Sequence, residues 1–417
     1  MTMRMFKVGG FVRDHLLGVR SKDCDYLVTG VTENDFLTAK PFGQTFSKVG
    51  ADFPVYLDRD GNEWALARRE RKNGTGYHGF EVDFGPEVTV EEDLSRRDLT
   101  INAMAMEVFD DMKTRLVDVI DPFNGKKDLY DRILRHTSDA FADDPVRVLR
   151  LARFRARFGP TWTVAPETVS LVSQMAKKGV LNELTAERVW KELSRALMEP
   201  APRLFFDTLL ECDALHVLFP EVYRLKTALE ARRWHPEGDA YEHTMLVLTQ
   251  AAKFGYDLET RLACLVHDFG KGLTPRDQLP RHYGHEMTGV PVVRDFCDRL
   301  TVPSKMRDRA MKTTRFHMHM HKLDNLNPKT WVQMFQEMDA FRDKWVVYVL
   351  YRVGVCDERG RLGSEKNEVH HLLKLVDVYN RVSAVKFADV FPAGETNPNR
   401  IKDGMFKARV QAVGCLN

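Results

Sequence analysis

Two aspartates one residue apart, Asp23 and Asp25, are the residues of this sequence that most directly indicate chemistry. On an extended segment, side chains two positions apart point to the same face, so the two carboxylates would lie close together. Each then raises the free-energy cost of ionising the other, and a bound divalent cation removes that conflict. The pair therefore predicts a metal site.

A glycine pair and an arginine shortly before this site are typical of a phosphate-binding loop. Gly9 and Gly10 have no Cβ, so backbone N–H groups can approach a triphosphate closely. Arg13 adds a planar guanidinium for a phosphate oxygen. A lone Gly-Gly is usually a turn and an Asp-x-Asp often arises by chance, so the inference depends on their combination. Together they favour two-metal nucleotidyl transfer.

Length and composition limit the kinds of protein that can hold such a site. With 417 residues, the chain is too long for one core, and we expect roughly two to four domains. The net charge of +2 neither indicates nor excludes a nucleic-acid partner. The six cysteines have no Cys-x-x-Cys spacing, as in reduced cytosolic proteins. Without a signal-peptide pattern or an apolar run of about 18 residues, we expect a cytoplasmic protein with no membrane association.

The character of the sequence changes twice along the chain. Up to about residue 135, short β-rich runs alternate with turns and helical patches, which predicts an α/β head on a small mixed sheet. From Asp144-Pro145 onward, apolar residues recur with helical spacing, so everything that follows is expected to be helical. A composition break around 228–239 predicts a linker. The expected class is α+β, with domains at 1–137, 138–227, 228–360 and 361–417.

A second charged cluster, at residues 91–103, contains Arg97 and Asp98. An isolated cluster of this kind is usually the solvated start of a helix. Beside an acidic metal pair, Arg97 could bind triphosphate or ribose oxygens while Asp98 fixes its orientation. Farther upstream, Glu63 could supply a third carboxylate.

Arginines recur every three residues in the next helical segment, at Arg147, Arg150 and Arg153. Such a stripe can be a salt-bridged helix surface. Asp144 adds a different possibility, because an arginine donor beside a carboxylate acceptor complements the Watson–Crick edges of cytosine and adenine. Uracil and guanine present a ring N–H and a carbonyl there. Asp144 and Arg147 would thus select C and A without a nucleic-acid template.

A histidine-rich region indicates a separate metal site. His243 precedes the adjacent pair His267-Asp268 by one helix, and Asp357 follows far downstream. A lone histidine on an apolar helix is usually a core residue, whereas this combination is much less common. Imidazoles with a carboxylate suit a borderline or hard divalent ion, and a water bound there could attack a phosphate ester. His285 could join the metal or contact phosphate, and in the run 317–321 we expect one functional histidine, His317, and two incidental ones.

In their order along the chain, these motifs resemble those of the bacterial CCA-adding enzymes, tRNA nucleotidyltransferases of the class II nucleotidyltransferase family. The matching runs are G-G-x-V-R-D at 9–14, D-x-D at 23–25, A-R-x-E-R-K at 67–72, R-R-D-L-T-I-N-A at 96–103 and D-P-x-R-x-L-R-x-x-R-F at 144–154. The resemblance implies that Asp23 and Asp25 hold Mg²⁺ and that Asp144 with Arg147 is an amino-acid template. It also implies that the incoming CTP or ATP is bound by Gly10, Arg13, Arg97, Arg150 and Arg153. The family usually has Glu-Asp before the template arginine, where this chain has Asp143-Asp144.

The same resemblance implies addition and repair of the 3′-terminal CCA of tRNA, with tRNA, CTP and ATP as partners. The tRNA would lie along the helical body and be recognised by the shape of its acceptor stem. The histidine-rich region resembles the HD phosphohydrolase domain of a subset of these enzymes. That domain is similar to domains with 2′,3′-cyclic phosphodiesterase, 2′-nucleotidase and phosphatase activity. The resemblance implies Ni²⁺, Mn²⁺, Co²⁺ or Mg²⁺ at this site, held by His243, His267, Asp268 and Asp357, in a monomer or homodimer.

Two alternative functions stay open on the sequence. A poly(A) polymerase of the same family shares nearly all the head motifs, although the HD region argues against it. A signalling nucleotidyltransferase can also join such a head to an HD domain, but it would lack the arginine stripe. Ordered use of CTP and ATP on tRNA would separate CCA addition from ATP-only tailing.

Overall fold

The structure, a computed structural model, describes residues 2–21, 24–49, 55–72, 80–109 and 118–414. Its internal contacts divide the chain into two compact units. The first unit comprises Met1–Leu184 and Asp207–Ala214, and the second comprises Thr185–Phe206 and Leu215–Asn417. The four domain boundaries expected from the sequence stay a prediction.

The first unit contains a six-stranded mixed sheet and two small two-stranded sheets. The strands are β1 (Arg4–Val8), β2 (Asp25–Thr29), β3 (Ser47–Val49), β4 (Val55–Leu57), β5 (Glu63–Leu66), β6 (Arg68–Lys72), β7 (Phe80–Phe84), β8 (Ala105–Val108), β9 (Ile133–Leu134) and β10 (Thr163–Val164). The large sheet has the order β3-β4-β5-β2-β1-β8, in which only β2 and β5 are parallel. The predicted α+β class with an N-terminal mixed sheet is confirmed.

Side-chain alternation buries both faces of the large sheet. Phe6 and Leu27 pack into one apolar cluster, while their neighbours Met5 and Val28 pack into another that contains Trp64. Successive residues of a strand point to opposite faces, so each strand contributes to both clusters. Burying a side chain such as Phe6 stabilises the fold by roughly 1.5–3 kcal/mol. The sheet is therefore a rigid base for the loops at its ends.

Among the described residues, six α-helices lie wholly within the first unit. They are α1 (Gly10–Leu16), α2 (Glu33–Ala39), α3 (Val90–Ser95), α4 (Gly125–Asp131), α5 (Val146–Phe158) and α6 (Pro166–Lys177). Short 3-10 helices lie at Pro41–Gly43, Thr100–Asn102, Asp139–Asp143 and Val180–Glu183. A capping box fixes the start of α3, since Thr89 Oγ1 accepts from the Glu92 N–H and Glu92 accepts from the Thr89 N–H.

The remaining elements are helical. They are α7 (Ala186–Met198), α8 (Arg203–Glu211), α9 (Leu215–Leu218), α10 (Pro220–Arg224), α11 (Ala240–Lys253), α12 (Leu258–Val266), α13 (His285–Arg299), α14 (Ser304–Phe316), α15 (Pro328–Glu337), α16 (Trp345–Arg359), α17 (Lys374–Ala384), α18 (Phe387–Val390) and α19 (Pro398–Gly414). Further 3-10 helices lie at Leu225–Thr227, Phe269–Leu273, Arg276–Gln278, His317–Asn325 and His370–Leu373. The expectation of helix throughout after residue 144 is wrong at β10, which pairs with β9 because the Thr163 and Ala165 N–H groups donate to the Arg132 and Leu134 carbonyls.

Two expectations, one about membrane-spanning helices and one about reduced cysteines, can be compared with the described residues. No helix among them combines the length and the apolar character that crossing a bilayer requires. The cysteines in the described part of the chain are free thiols, namely Cys24, Cys212, Cys264, Cys297 and Cys356. Cys415 lies outside the described residues.

Candidate functional site

The strand register places Asp25 beside the glycine pair. Asp25 begins β2 and lies opposite Val8, the last residue of β1, so it stands where the chain turns through Gly9-Gly10 into α1. On its other side, Asp25 pairs with Glu63 of β5. Paired residues of adjacent strands share a face, so the two carboxylates suit a hard cation. Asp23 lies outside the described residues, so its place in this site stays a prediction.

Gly9 allows Arg97 to lie against the turn. Its φ of +66° is in the left-handed region, and a Cβ there would lie 2.9 Å from Arg97 Nη1. Arg97 Nη2 in turn lies 3.2 Å from a carboxylate oxygen of the fully buried Asp93. Burial raises the pKa of Asp93, but Arg96 and Arg97 outweigh it and lower that pKa. An ionised Asp93 thus fixes Arg97 beside the glycine pair.

A chain of hydrogen bonds joins the three charged clusters of the first unit. Arg13 Nη1 donates to Asn102 Oδ1 at 2.6 Å, and Asn102 Nδ2 donates to Asp98 Oδ1 at 3.1 Å. Arg150 Nε donates to the other oxygen of Asp98 at 2.7 Å. The predicted phosphate-binding residues Arg13 and Arg150, which are distant in sequence, are thereby held in one network.

The central acceptor of this network is Asp98, which is 6% exposed. Burial raises its pKa, but the charge of Arg150 and the hydrogen bonds from Asn102 and the Leu99 N–H outweigh burial and lower the pKa to about 2. The carboxylate is ionised at neutral pH. The expectation that Asp98 orients Arg97 is therefore wrong: it orients Arg150, because α5 brings that guanidinium to the buried carboxylate.

An aromatic ring lies among three of the predicted nucleotide-binding arginines. The centroid of Phe154 is 5.5 Å from Arg13 Cζ, 5.9 Å from Arg150 Cζ and 5.0 Å from Arg153 Cζ. These distances suit cation–π attraction. Sequence reasoning missed both Phe154 and Asn102. The signal for Asn102 was its place in the same charged cluster as Asp98, four residues later.

The proposed template pair lies at the start of α5. Asp144 Oδ1 accepts the Val146 N–H at 3.1 Å, and the Asp144 carbonyl accepts the Arg147 N–H at 3.0 Å. The Arg147 guanidinium donates to the carbonyl of Ala140. Asp144 and Arg147 are both partly exposed, so a base can reach them.

In the second unit, the four predicted metal ligands lie together. His243 is on α11, His267-Asp268 directly follows α12, and Asp357 is on α16. His243 Nε2 lies 3.1 Å from Asp357 Oδ1 and 3.8 Å from Asp268 Oδ2, and His267 Nε2 lies 3.3 Å from Asp268 Oδ2. Each of the four residues is at most 3% exposed. Two imidazoles and two carboxylates in a buried cluster fit a divalent transition metal.

The ring orientation of both histidines favours metal binding. The Nδ1 of His267 lies 2.8 Å from the Cys264 carbonyl, and the Nδ1 of His243 lies 3.1 Å from Glu237 Oε1. A proton on each Nδ1 leaves an Nε2 lone pair directed at the carboxylates, as in metal sites whose ligands are oriented by an outer acceptor. Among the described residues, His267 Nε2 has no hydrogen-bond partner.

The charges around the carboxylates keep them ionised. Lys271 Nζ lies 2.7 Å from Asp268 Oδ2 and 2.6 Å from Glu230 Oε1. Burial raises the pKa of Asp268, but His267 and Lys271 outweigh it and hold that pKa well below its usual range. Burial likewise raises the pKa of Asp357, and the neighbouring histidines, His321 foremost, outweigh it. Two ionised carboxylates are thus available to a cation.

Two features of this site differ from the sequence prediction. The segment 228–239 is more than a linker, because its Glu230 and Glu237 contact the site. His321 is not incidental: its Nε2 lies 3.0 Å from Asp357 Oδ2, while His317 Nε2 lies 3.4 Å from Asp268 Oδ1. Both histidines lie in the 3-10 helix His317–Asn325, and the recurrence of histidine at 317, 319 and 321 was the available signal.

Family models match three successive parts of the chain. The poly(A) polymerase head domain matches residues 5–135, and the HD domain matches residues 240–383. Between them, the model described as the probable RNA and SrmB-binding site of polymerase A matches residues 162–225.

Solved structures of CCA-adding enzymes share the fold. The apo form II of one such enzyme has a TM-score of 0.66 at 20% identity and covers 99% of this chain and 88% of its own. The Thermotoga maritima CCA-adding enzyme complexed with tRNA has a TM-score of 0.61 at 20% identity, over 100% of this chain and 88% of that chain.

Curated relatives match over nearly the whole length. The multifunctional CCA protein of Paraburkholderia phymatum is 43% identical over 99% of this chain and 97% of its own. That of Paraburkholderia phytofirmans is 44% identical over 99% of both. At this identity and coverage, the chain belongs to the family of multifunctional CCA proteins.

Proposed function

We propose that the first unit adds and repairs the 3′-terminal CCA of tRNA, using CTP and ATP and no nucleic-acid template. The observation that carries this proposal is the hydrogen-bond network from Arg13 through Asn102 and Asp98 to Arg150. It fixes two arginines of different motifs near the glycine pair, where a triphosphate needs several cationic donors. The full-length relatives support the same activity. Since tRNA is matured in the cytoplasm, we place the reaction there.

In this proposal, the arginines bind the triphosphate and the aspartates bind the metal. Arg13, Arg97, Arg150 and Arg153 hold the phosphate and ribose oxygens, and Gly10 lets the backbone approach them. Asp23 and Asp25 would hold Mg²⁺, which would supply the charge needed to activate the tRNA 3′-hydroxyl and to neutralise the leaving pyrophosphate. Asp25 lies at the end of the sheet that faces the glycine pair, which supports this role.

Base selection follows from Asp144 and Arg147. The carboxylate accepts from the amino group of cytosine or adenine, and the guanidinium donates to the adjacent ring nitrogen. Asp144 lies just before α5 and Arg147 lies in its first turn, and the buried apolar face of α5 anchors it in the first unit. A template held on a packed helix keeps its geometry without RNA or DNA.

Incubation with tRNA that ends at the discriminator base tests this proposal. Each nucleotide is supplied singly and in pairs, and the products are resolved at single-nucleotide length. We expect two C residues from CTP alone and the complete CCA end from CTP with ATP. The matched control is a variant in which Asp23 and Asp25 are both changed to Ala, which should add nothing. Incorporation of UTP or GTP at comparable rates contradicts the proposal.

Poly(A) polymerase activity is the second candidate, because the head matches the poly(A) polymerase family model at residues 5–135. It predicts repeated AMP addition from ATP alone, without prior CTP. Long A tails on several unrelated RNAs would establish this function in place of CCA addition.

For the second unit, we propose metal-dependent hydrolysis of phosphate esters of the 2′,3′-cyclic, 2′-monoester or simple monoester class. The buried group of His243, His267, Asp268 and Asp357 supports this role, since it offers imidazole and carboxylate donors to one ion of the Ni²⁺, Mn²⁺, Co²⁺ or Mg²⁺ type. Lys271 contacts Oδ2 of Asp268 and is itself paired with Glu230. The ion, when bound, supplies an activated water.

Hydrolysis of 2′,3′-cyclic AMP, 2′-AMP and p-nitrophenyl phosphate by the full chain tests this second activity. Each divalent ion is added separately to chelator-treated protein. We expect Asp357→Asn to abolish hydrolysis of all three substrates while CCA addition is retained. Hydrolysis that is unaffected by Asp357→Asn or by chelation contradicts the proposal.

A further inference from the structure

An exposed tryptophan lies in a closed loop of the second unit. The loop comprises residues 229–239, and its ends are held together because the Glu230 N–H donates to the Gly238 carbonyl. Trp234 lies in a turn between these ends, where its own N–H donates to the Ala231 carbonyl. It is 61% exposed, although tryptophan is highly buried on average. A ring that is open to solvent at this position is available to a ligand.

A tyrosine on a neighbouring loop, residues 274–284, is exposed as well. Tyr283 is 78% exposed, and the residue before it, His282, joins this loop to the first one. The Nε2 of His282 lies 3.0 Å from the Leu229 carbonyl, and its Nδ1 lies 2.7 Å from Thr274 Oγ1. Burial lowers the pKa of His282, so at pH 7 the ring is neutral and can donate through Nε2 and accept through Nδ1. The two loops are thereby fixed side by side.

Trp234 and Tyr283 border the same part of the surface. Glu230 Oε2 lies 3.9 Å from His235 Nε2 and 3.8 Å from His282 Nε2, so these two histidines converge on one oxygen. Trp234 and Tyr283 are the chain neighbours of the two histidines. The histidine side chains are largely buried, whereas both aromatic rings face solvent. The loops 229–239 and 274–284 thus form one patch, which we call the Trp–Tyr surface.

The Trp–Tyr surface is positively charged. Its two loops carry four exposed arginines, namely Arg232, Arg233, Arg276 and Arg281. Of the acidic residues in the same two loops, Asp277 is exposed, while the others are buried or half-buried. Arg233 Cζ lies 4.9 Å from the ring centroid of Trp234, a distance that suits cation–π attraction. A guanidinium on an aromatic face can still present its N–H groups to a phosphate.

We propose that the Trp–Tyr surface binds single-stranded RNA, whose bases stack on Trp234 and Tyr283 and whose phosphates pair with the four arginines. Stacking of bases on aromatic side chains beside basic groups is typical of proteins that hold single strands, and it tolerates every base. Such sites begin at about four nucleotides. The inference adds a binding surface outside both sites proposed above. Only the choice of RNA over DNA rests on the proposed action on tRNA.

Other polyanions fit the Trp–Tyr surface less well. In a duplex the bases are paired and stacked on one another, so they present no face to a protein ring. Acidic side chains of a protein can pair with arginines, but they have no flat face that would cover Trp234 and Tyr283. Unpaired bases linked by phosphates complement both the rings and the charge.

Photo-cross-linking to the full chain tests the inference. The probe is a single-stranded RNA of about eight nucleotides that carries 4-thiouridine, a length within the range of such sites. Cross-linked peptides are quantified by mass spectrometry at increasing RNA concentration, so binding at the two loops is measured separately from RNA bound by the first unit. We expect saturable cross-linking to both loops.

Two substitutions separate stacking from charge. Trp234→Ala should raise the half-saturating RNA concentration at the Tyr283 peptide roughly 5- to 100-fold, because one stacked base is lost. Trp234→Phe keeps a ring and should stay close to wild type. Arg281→Ala should reduce the slope of log affinity against log salt concentration by about 0.7, the value for one phosphate contact to a single strand.

Matched controls show whether the binding belongs to this surface. Phe387→Ala removes an exposed ring of α18 in the same unit and should leave cross-linking to the two loops unchanged. Competition by duplex RNA or by polyglutamate as strong as that by unlabelled single-stranded RNA overturns the inference. An unchanged half-saturating concentration in Trp234→Ala overturns it as well. If the chain cross-links as expected but neither adds CCA nor hydrolyses phosphate esters, the functions proposed above are refuted and the RNA-binding surface stands.

Discussion

Arg150 Nη2 lies 2.6 Å from Asp98 Oδ2, although the two residues are 52 positions apart in sequence. Asp98 is buried and Arg150 is partly exposed, so the carboxylate anchors a guanidinium whose outer side can reach a ligand. Through Asn102, the same carboxylate is linked to Arg13. The buried Asp98 carboxylate thus positions arginines from two motifs.

Asp98→Asn should make the stability of the first unit less dependent on pH. The folded-state pKa of about 2 lies below the usual 3.8, so ionised Asp98 stabilises the fold above pH 4 and loses this effect as pH falls through 2. The shift corresponds to about 2 kcal/mol. We expect Asp98→Asn to lower the free energy of unfolding by this amount at pH 7 and by less at pH 3. Hydrogen exchange of α5 peptides measures both values. The control is Asp118→Asn, at an exposed position. If Asp98→Asn differs from wild type by the same amount at both pH values, the prediction is contradicted.

Gly9→Ala should weaken nucleotide binding as well as the fold. A left-handed alanine costs about 1–2 kcal/mol, and its Cβ, at 2.9 Å from Arg97 Nη1, would also displace that guanidinium. Gly18→Ala is a matched control, because Gly18 has a φ of +69° and, apart from its chain neighbours, no described residue has an atom within 4 Å of the added Cβ. Both variants should melt at lower temperature, but only Gly9→Ala should raise KM for CTP. An equal KM in the two variants would show that Arg97 does not bind the nucleotide.

Arg147→Ala should reduce discrimination between CTP and UTP. Loss of one hydrogen bond to a charged donor costs about 1.5–3 kcal/mol, which corresponds to roughly a 10- to 100-fold loss in kcat/KM for CTP. The kcat/KM for UTP should not fall, because the ring N–H of uracil cannot accept a hydrogen bond from this guanidinium. Single-turnover incorporation on tRNA measures both values. Lys177→Ala, an exposed basic position of the first unit, should leave the ratio unchanged.

Arg361→Ala should impair phosphate-ester hydrolysis without loss of metal. Arg361 Nη2 lies 3.8 Å from Asp357 Oδ1, and its buried Nε has no hydrogen-bond partner among the described residues. The guanidinium is therefore placed to bind a substrate phosphate oxygen. We expect kcat/KM to fall roughly 10- to 100-fold for 2′,3′-cyclic AMP, with partial retention in Arg361→Lys.

The control for this prediction lies two residues away. Arg359 donates to the Asn367 carbonyl and faces the ring of Phe254, so Arg359→Ala should affect stability more than hydrolysis. Metal content is measured in every variant. If Arg361→Ala loses metal in proportion to activity, Arg361 supports the ligands and does not bind the substrate.

Residue type and spacing by themselves predicted the chemistry that we propose for both sites. Asp25 with the glycine pair, and His243 with His267-Asp268, were recognisable because local spacing constrains which atoms can share a strand face or a helical turn. The change from a period of two to helical spacing likewise determined the α+β class and its order along the chain. These are short-range properties of a polypeptide, which a sequence displays directly.

Only the tertiary structure decided which side chains support these residues. Asp98 binds Arg150 and not Arg97, and the apparent linker supplies Glu237 to His243. Both outcomes depend on contacts between segments far apart in sequence, where burial strengthens charge pairing and packing selects one partner among many. Asp268 is a further example, because its two carboxylate oxygens face two different pairs of imidazoles. These contacts arise from the packing of separate helices, and no spacing along the chain encodes them.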